Sequence, residues 1–173
     1  MILDALGPVI AWRMHTPRWA VAPTSGAGAA AHGGRANRPG TPALYLSLDA
    51  HTAIREYQQL SPLMPPGTLV TYIVQIAPAV DYRGGFDAAH WSQPWADFHC
   101  DWRELWFDRR LEPPSWRAAD EALAASAKGI VFGSAVAPGG VNLVVYTQSL
   151  APGDRLDVHD PGGLLPKNQD SWR

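Results

Sequence analysis

The sequence predicts an α+β fold in one domain, and three observations point there. Short apolar runs with strand-like alternation fall at 9–14, 44–47, 68–76, 130–132 and 141–146. Segments with helical periodicity and capping residues lie among them, from Asp49 to Ser61, at 101–106 and from Ser115 to Ala125. The length of 173 residues suits one domain, which at this size buries roughly 70% of the surface its unfolded chain exposes. The expected boundaries are one domain over 1–173, with a core from about 9 to 150 and an irregular tail over 151–173.

The first strand, Val9–Met14, places Val9, Ala11 and Arg13 on one face and Ile10, Trp12 and Met14 on the other, so Arg13 reaches a cleft while its neighbours pack. Residues 23–40 are dense in Gly, Ala and Pro, the composition of a long irregular binding loop. Two look-alike motifs sit in it. Gly26-Ala27-Gly28-Ala29-Ala30-Ala31 fits the loosest dinucleotide fingerprint but follows Pro23-Thr24-Ser25 instead of an apolar strand. Gly28 to Gly33 has the glycine spacing of a phosphate-binding P-loop, yet Gly34-Arg35 stands where Lys-Ser or Lys-Thr belongs. Neither reading is adopted.

In the next strand Leu44 and Leu46 face the core and leave Tyr45 and Ser47 on the opposite face. Asp49 caps the following helix, whose apolar stripe is Ala50, Ala53, Ile54, Tyr57 and Leu60, with Glu56 at its edge. Thr68–Ile76 is a strand. In the tryptophan-rich stretch from Phe86 to Trp116, Asp101 and Glu104 resemble a capping pair for a helix with Trp102, Leu105 and Trp106 on one face. These tryptophans suit a satellite core; a surface that stacks on a base, on nicotinamide or against a partner protein is the alternative. Ser115 caps a helix through Ala125, ended by Lys128-Gly129. The buried run Ile130–Phe132 then delivers Ser134. Asn142 lies near the start of the Val141–Tyr146 strand, and the Pro- and Gly-rich stretch from Pro152 reads as irregular.

The candidate chemistry gathers around Gly33-Gly34-Arg35, Tyr45 and Glu56. A guanidinium holds a phosphate bidentately, glycines admit a ligand close to the backbone, and a carboxylate hydrogen-bonds sugar hydroxyls or stabilises a cationic sugar transition state. Together they suit a nucleotide whose glycosidic bond is cut. Other chemistries fit less well. His90, His99 and Cys100 lack zinc spacing and a fourth ligand, so no metal is assigned. Ser134 lacks the G-x-S-x-G elbow of a nucleophile and reads as a binding serine.

The order Arg35, Glu56 and then Ser134, in Gly129-Ile130-Val131-Phe132-Gly133-Ser134, resembles the RES domain, a family named for an arginine, a glutamate and a serine. The similarity runs from Trp12-Arg13 through Ser25-Gly26-Ala27-Gly28-Ala29, Gly33-Gly34-Arg35-Ala36-Asn37-Arg38-Pro39-Gly40, Tyr45 and Glu56 to Gly139-Gly140-Val141-Asn142-Leu143. One departure is Ala36, where the family usually carries tryptophan. The resemblance implies a fold related to ADP-ribosyltransferases, with mixed or antiparallel sheets and flanking helices. It also implies a bacterial toxin that cuts the nicotinamide–ribose bond of NAD. In that setting Arg35, Glu56 and Ser134 form the catalytic set, while Arg13, Tyr45 and Asn142 contact NAD. No cofactor is implied; NAD is the substrate and inorganic phosphate a candidate co-substrate. The acceptor stays open between water, phosphate and a protein side chain, as does a catalytically silent interaction domain. The implied protein partner is an antitoxin of the Xre helix-turn-helix type.

Composition narrows the setting. The net charge is −2 and the basic residues are dispersed, so no nucleic-acid footprint exists. The single cysteine, Cys100, cannot form an internal disulfide and suits a reducing cytosol. No export signal or bilayer-length apolar stretch is evident, which sets the expectation of a cytoplasmic protein without membrane contact. Oligomeric state is left open, a homodimer included.

Overall fold

The computed structural model describes residues 1–59 and 61–170. Leu60, assigned above to the apolar stripe, lies outside the described residues. The architecture is α+β, a mixed six-stranded sheet with flanking helices. Strand β1 (Leu3–His15) runs antiparallel to β3 (Thr68–Tyr82), from Leu3 opposite Val80 to His15 opposite Thr68. On its other side β1 meets β2 (Ala43–Ser47) at Trp12 opposite Ser47. β2 pairs with β5 (Val141–Tyr146), β5 with β4 (Gly129–Gly133), and β4 returns in parallel to β3. The circuit of pairings thus closes on itself, which removes most exposed strand edges. β6 (Arg155–Val158) adds antiparallel to β3.

Alternation along these strands sorts two cores. Leu44, Leu46, Val70, Tyr72, Leu143 and Val145 meet on one face. Tyr82, Ile130, Phe132, Val144 and Tyr146 meet on the other, under Trp95, Phe98 and Ala119. Trp95 belongs to α3 (Gln93–Ala96) and Ala119 to α4 (Pro114–Ala124). Trp91 and Trp95 of the 86–116 stretch thus belong to the main core, whereas Trp102 packs on Phe107 and Trp106 on Trp116, outside both core clusters. Trp95 is fully enclosed and Trp116 is 2% exposed, so truncating either to alanine should cost about 3–5 kcal/mol.

Several local expectations change. β1 and β3 run beyond the predicted 9–14 and 68–76, through Pro8 and Pro78, residues that normally end a strand. Beside Pro8, Gly7 takes φ of 100° at an irregularity in the β1–β3 register, where a bulge absorbs the break. The loop 23–40 carries a helix, α1 (Ala27–His32), because its four alanines outweigh one glycine in propensity. The expected irregular tail contributes β6. Ser115 does not cap α4: the helix begins at Pro114 with Pro113 before it, and Ser115 is buried in the first turn. Asp101 does cap, its Oδ1 accepting from the Arg103 and Glu104 amides at 3.1 Å each, but residues Glu104–Asp108 then wind as a π-helix. The expected cap of α2 (Ala50–Gln58) holds, with Asp49 accepting from the Thr52 amide at 2.7 Å.

Candidate active site

A cavity of about 370 Å³ opens where the helix-covered face of β2 and β5 meets β1, α2 and the glycine turn after α1. Its wall includes Arg13, Arg35, Tyr45, Glu56 and Asn142. Five of the six residues singled out from sequence therefore line one space. The sixth, Ser134, stands just behind it and reaches Glu56 directly.

The carboxylate is the best-supported group. α2 carries Glu56 in its last turn, half-buried against the sheet. Its Oε1 accepts from the Ser134 hydroxyl at 2.7 Å and from Asn142 Nδ2 at 2.5 Å. Asn142 is itself aimed by Ser47, its cross-strand neighbour, whose hydroxyl donates to Asn142 Oδ1 at 2.8 Å. The Ser134 oxygen in turn accepts from the amides of Val136 and Ala137 at 3.2 and 3.0 Å. Two donors on one oxygen hold an ionised carboxylate in place. Among the described residues Oε2 keeps only a long 3.4 Å contact from Gln59, leaving its lone pairs for a ligand hydroxyl.

The glycine turn explains Arg35. Gly33 follows α1 with φ of 80°, and a Cβ there would lie 2.9 Å from the Trp116 ring. A Cβ on Gly34 would lie 2.4 Å from the Tyr45 hydroxyl. The turn is tied to its surroundings by Asn37, whose Nδ2 donates to the carbonyls of Ala29, Arg38 and Thr41. Tyr45 finishes the job: its hydroxyl donates to Asn37 Oδ1 at 2.7 Å and accepts from the Ala36 amide at 2.8 Å. Ala36 is wholly buried, and its carbonyl accepts from the Tyr146 hydroxyl at 2.9 Å. An indole still lies against the turn, supplied by Trp116, whose Nε1 donates to the Gly34 carbonyl at 2.7 Å.

Arg35 leaves this turn with Nη1 donating to the carbonyls of Phe98 and Cys100, at 3.0 and 2.8 Å. Its Nε and Nη2 have no hydrogen-bond partner among the described residues. That is the edge of a guanidinium that grips phosphate bidentately. Arg13 donates through Nη1 to the Tyr45 carbonyl at 2.7 Å, while its buried Nε has no partner. Burial pushes both guanidiniums below their ordinary value, with the Arg103 charge adding to the effect at Arg35. Among the described residues neither arginine forms an ion pair with a carboxylate within 4 Å, although the Glu56 charge is felt at Arg35.

Sequence reasoning passed over Ser47, Asn37 and the wall residue Arg103, while Trp102, offered as a stacking surface, does line the cavity. Ser47 was legible only as a residue on the Tyr45 face, because its partner Asn142 is 95 residues away. Among the described residues no group of His, Cys, Asp and Glu comes together as a metal site, and no helix is long and apolar enough to cross a membrane.

Comparison with known proteins bears on this arrangement. A family model described as RES domain matches residues 10–168. Among curated proteins nothing matches. A solved structure described as the crystal structure of the M. tuberculosis MbcT-MbcA toxin-antitoxin complex is similar with a TM-score of 0.59 and 20% identity, over 91% of this chain and 85% of that one. At that identity the likeness is one of fold.

Proposed function

Because the chain belongs to the RES domain family, we propose that it is a toxin of a toxin–antitoxin pair that cleaves the nicotinamide–ribose bond of NAD. The observation that carries this reading is the opposition, across one cavity, of a fixed carboxylate and an arginine with an open phosphate-binding edge. Arg35, and Arg13 beside it, take the substrate's phosphates. Glu56 Oε2 accepts from a hydroxyl of the nicotinamide ribose and stabilises the positive charge that grows on the sugar as the bond to nitrogen breaks. The bonding electrons go to the ring nitrogen, so nicotinamide leaves neutral and needs no acid. An acceptor oxygen then bonds to the anomeric carbon and releases its proton to solvent. Ser134 and Asn142 keep Glu56 in position, and Tyr45 keeps Arg35 there.

The structural neighbour's toxin-antitoxin title supports a protein antitoxin as partner, of the Xre type that the family resemblance suggests. The deciding experiment incubates purified protein with NAD, with and without inorganic phosphate, and separates the products by chromatography. Free nicotinamide is expected. ADP-ribose formed regardless of phosphate identifies water as acceptor, and ADP-ribose 1-phosphate formed only with phosphate identifies phosphorolysis. Intact NAD in both incubations overturns the reading in favour of ADP-ribosylation of a protein or a silent interaction domain.

A further inference from the structure

We propose that Arg103 binds the second phosphate of a dinucleotide at the cavity mouth, so that this residue makes the site select dinucleotides over mononucleotides. The proposal rests on the reading of the cavity as an NAD site and adds a specificity residue to it.

The first argument is charge. The cavity wall holds three arginines, Arg13, Arg35 and Arg103, against one carboxylate, Glu56. Several arginines elsewhere are neutralised by carboxylates: Arg38 by Glu112 and Asp120 at 2.7 and 2.8 Å, Arg83 by Asp81 at 2.5 Å, and Arg155 by Asp157. The three in the wall have no such partner among the described residues. A cavity with this surplus of cation favours an anion with more than one charged centre.

The second argument is position. Arg13 and Arg35 are half-buried and each donates to backbone carbonyls, so their places are set before a ligand arrives. Arg103 is exposed, and its guanidinium rests on the ring of buried Trp102, 4.7 Å from the centroid. Contact with an aromatic face leaves the in-plane donors of a guanidinium unused. Its backbone is fixed as well, since the amide donates to Asp101 Oδ1 at 3.1 Å. An exposed cation on a fixed stem complements the half-buried Arg35 inside.

The third argument is size. At about 370 Å³ the cavity is near the lower end of the range for ligand pockets, roughly 300–1,000 Å³. A dinucleotide with its nicotinamide ribose at Glu56 extends out of such a space, and its first phosphate meets Arg35. The next phosphate emerges at the rim, where Arg103 waits. A mononucleotide ends before it gets there.

The test compares NAD with nicotinamide mononucleotide by calorimetry, on protein carrying Glu56→Gln to prevent turnover, with and without Arg103→Ala or Arg103→Lys. Removing one charge-assisted phosphate contact should weaken NAD by about tenfold or more, leave the mononucleotide within about twofold, and be partly rescued by lysine. If NAD binds with unchanged affinity after Arg103→Ala, or if both ligands weaken equally, Arg103 is not the second-phosphate residue while the NAD site stands. If neither ligand binds and the unsubstituted protein also leaves NAD intact, the NAD reading falls and this inference with it.

Discussion

The Ser134 hydroxyl donates to Glu56 Oε1 at 2.7 Å across 78 residues of sequence. A loop after β4 and the last turn of α2 are thereby joined at the one carboxylate of the cavity wall, and Asn142 completes the junction. Glu56→Gln keeps an oxygen for both donors but removes the charge. Turnover should fall by about 10²-fold or more, by analogy with the loss of one electrostatic stabiliser, while the thermal melting point stays near that of the parent. Nicotinamide release and a melting curve on the same preparation check both halves.

Ser134→Ala acts through Glu56 and not on the substrate. The carboxylate keeps Asn142 but loses its second donor, and the Val136 and Ala137 amides lose their acceptor. We expect kcat to drop about tenfold, with about 1 kcal/mol of stability lost. A nucleophilic serine would instead abolish turnover and leave a covalent adduct on the parent protein; intact-mass spectrometry after incubation with NAD separates the two.

Arg35→Lys preserves charge but not geometry. One ammonium cannot serve the carbonyls of Phe98 and Cys100 and at the same time clamp a phosphate bidentately. The KM for NAD should rise by about tenfold or more, with the fold intact by circular dichroism. A KM equal to that of the parent would place Arg35 outside the substrate site.

Tyr45→Phe tests the scaffold beneath Arg35. The hydroxyl is the partner of the Ala36 amide and of Asn37 Oδ1, both on buried residues. Deleting it strands a buried donor, at about 1–3 kcal/mol, to be read from urea unfolding. Activity should fall together with stability, because the same turn positions Arg35.

The parts of this molecule that could be read from sequence are those encoded locally. Asp49 announced the start of α2, alternation announced β2 and β5, and the Arg35, Glu56, Ser134 order announced a common site. What escaped is set by contacts distant in the chain. Pro8 and Pro78 look like strand ends because sequence does not display the bulge and pairing that accommodate them. The alanines of α1 look like loop among glycines. Arg103 looked like one solvated charge among many, and only the fold sets it in the same cavity wall as Arg35. Trp116 could not be read as the indole against the glycine turn, since its bond to Gly34 spans 82 residues.

Beside the cavity, His15 should govern acid stability. It is 6% exposed, and its Nε2 lies 2.6 Å from the Tyr72 hydroxyl, which gives its own proton to the Pro23 carbonyl at 2.8 Å. The imidazole therefore carries a proton on Nε2. Burial first, and the Arg13 charge second, hold its pKa down at about 4 from an ordinary 6.5. The unfolded chain thus binds a proton between those values while the folded chain does not, so stability is full above pH 6.5 and declines as the pH falls towards 4. Such a difference amounts to about 3 kcal/mol as an upper limit. The pKa of His99 is lowered too, by desolvation and then by Arg35, and contributes in the same direction. His15→Gln retains a side-chain N–H for Tyr72 but cannot take up a proton. Urea unfolding from pH 7.5 to 4.5 should give a flatter profile for this variant than for the parent, and parallel profiles would mean that His15 is protonated in the folded chain as readily as in the unfolded one.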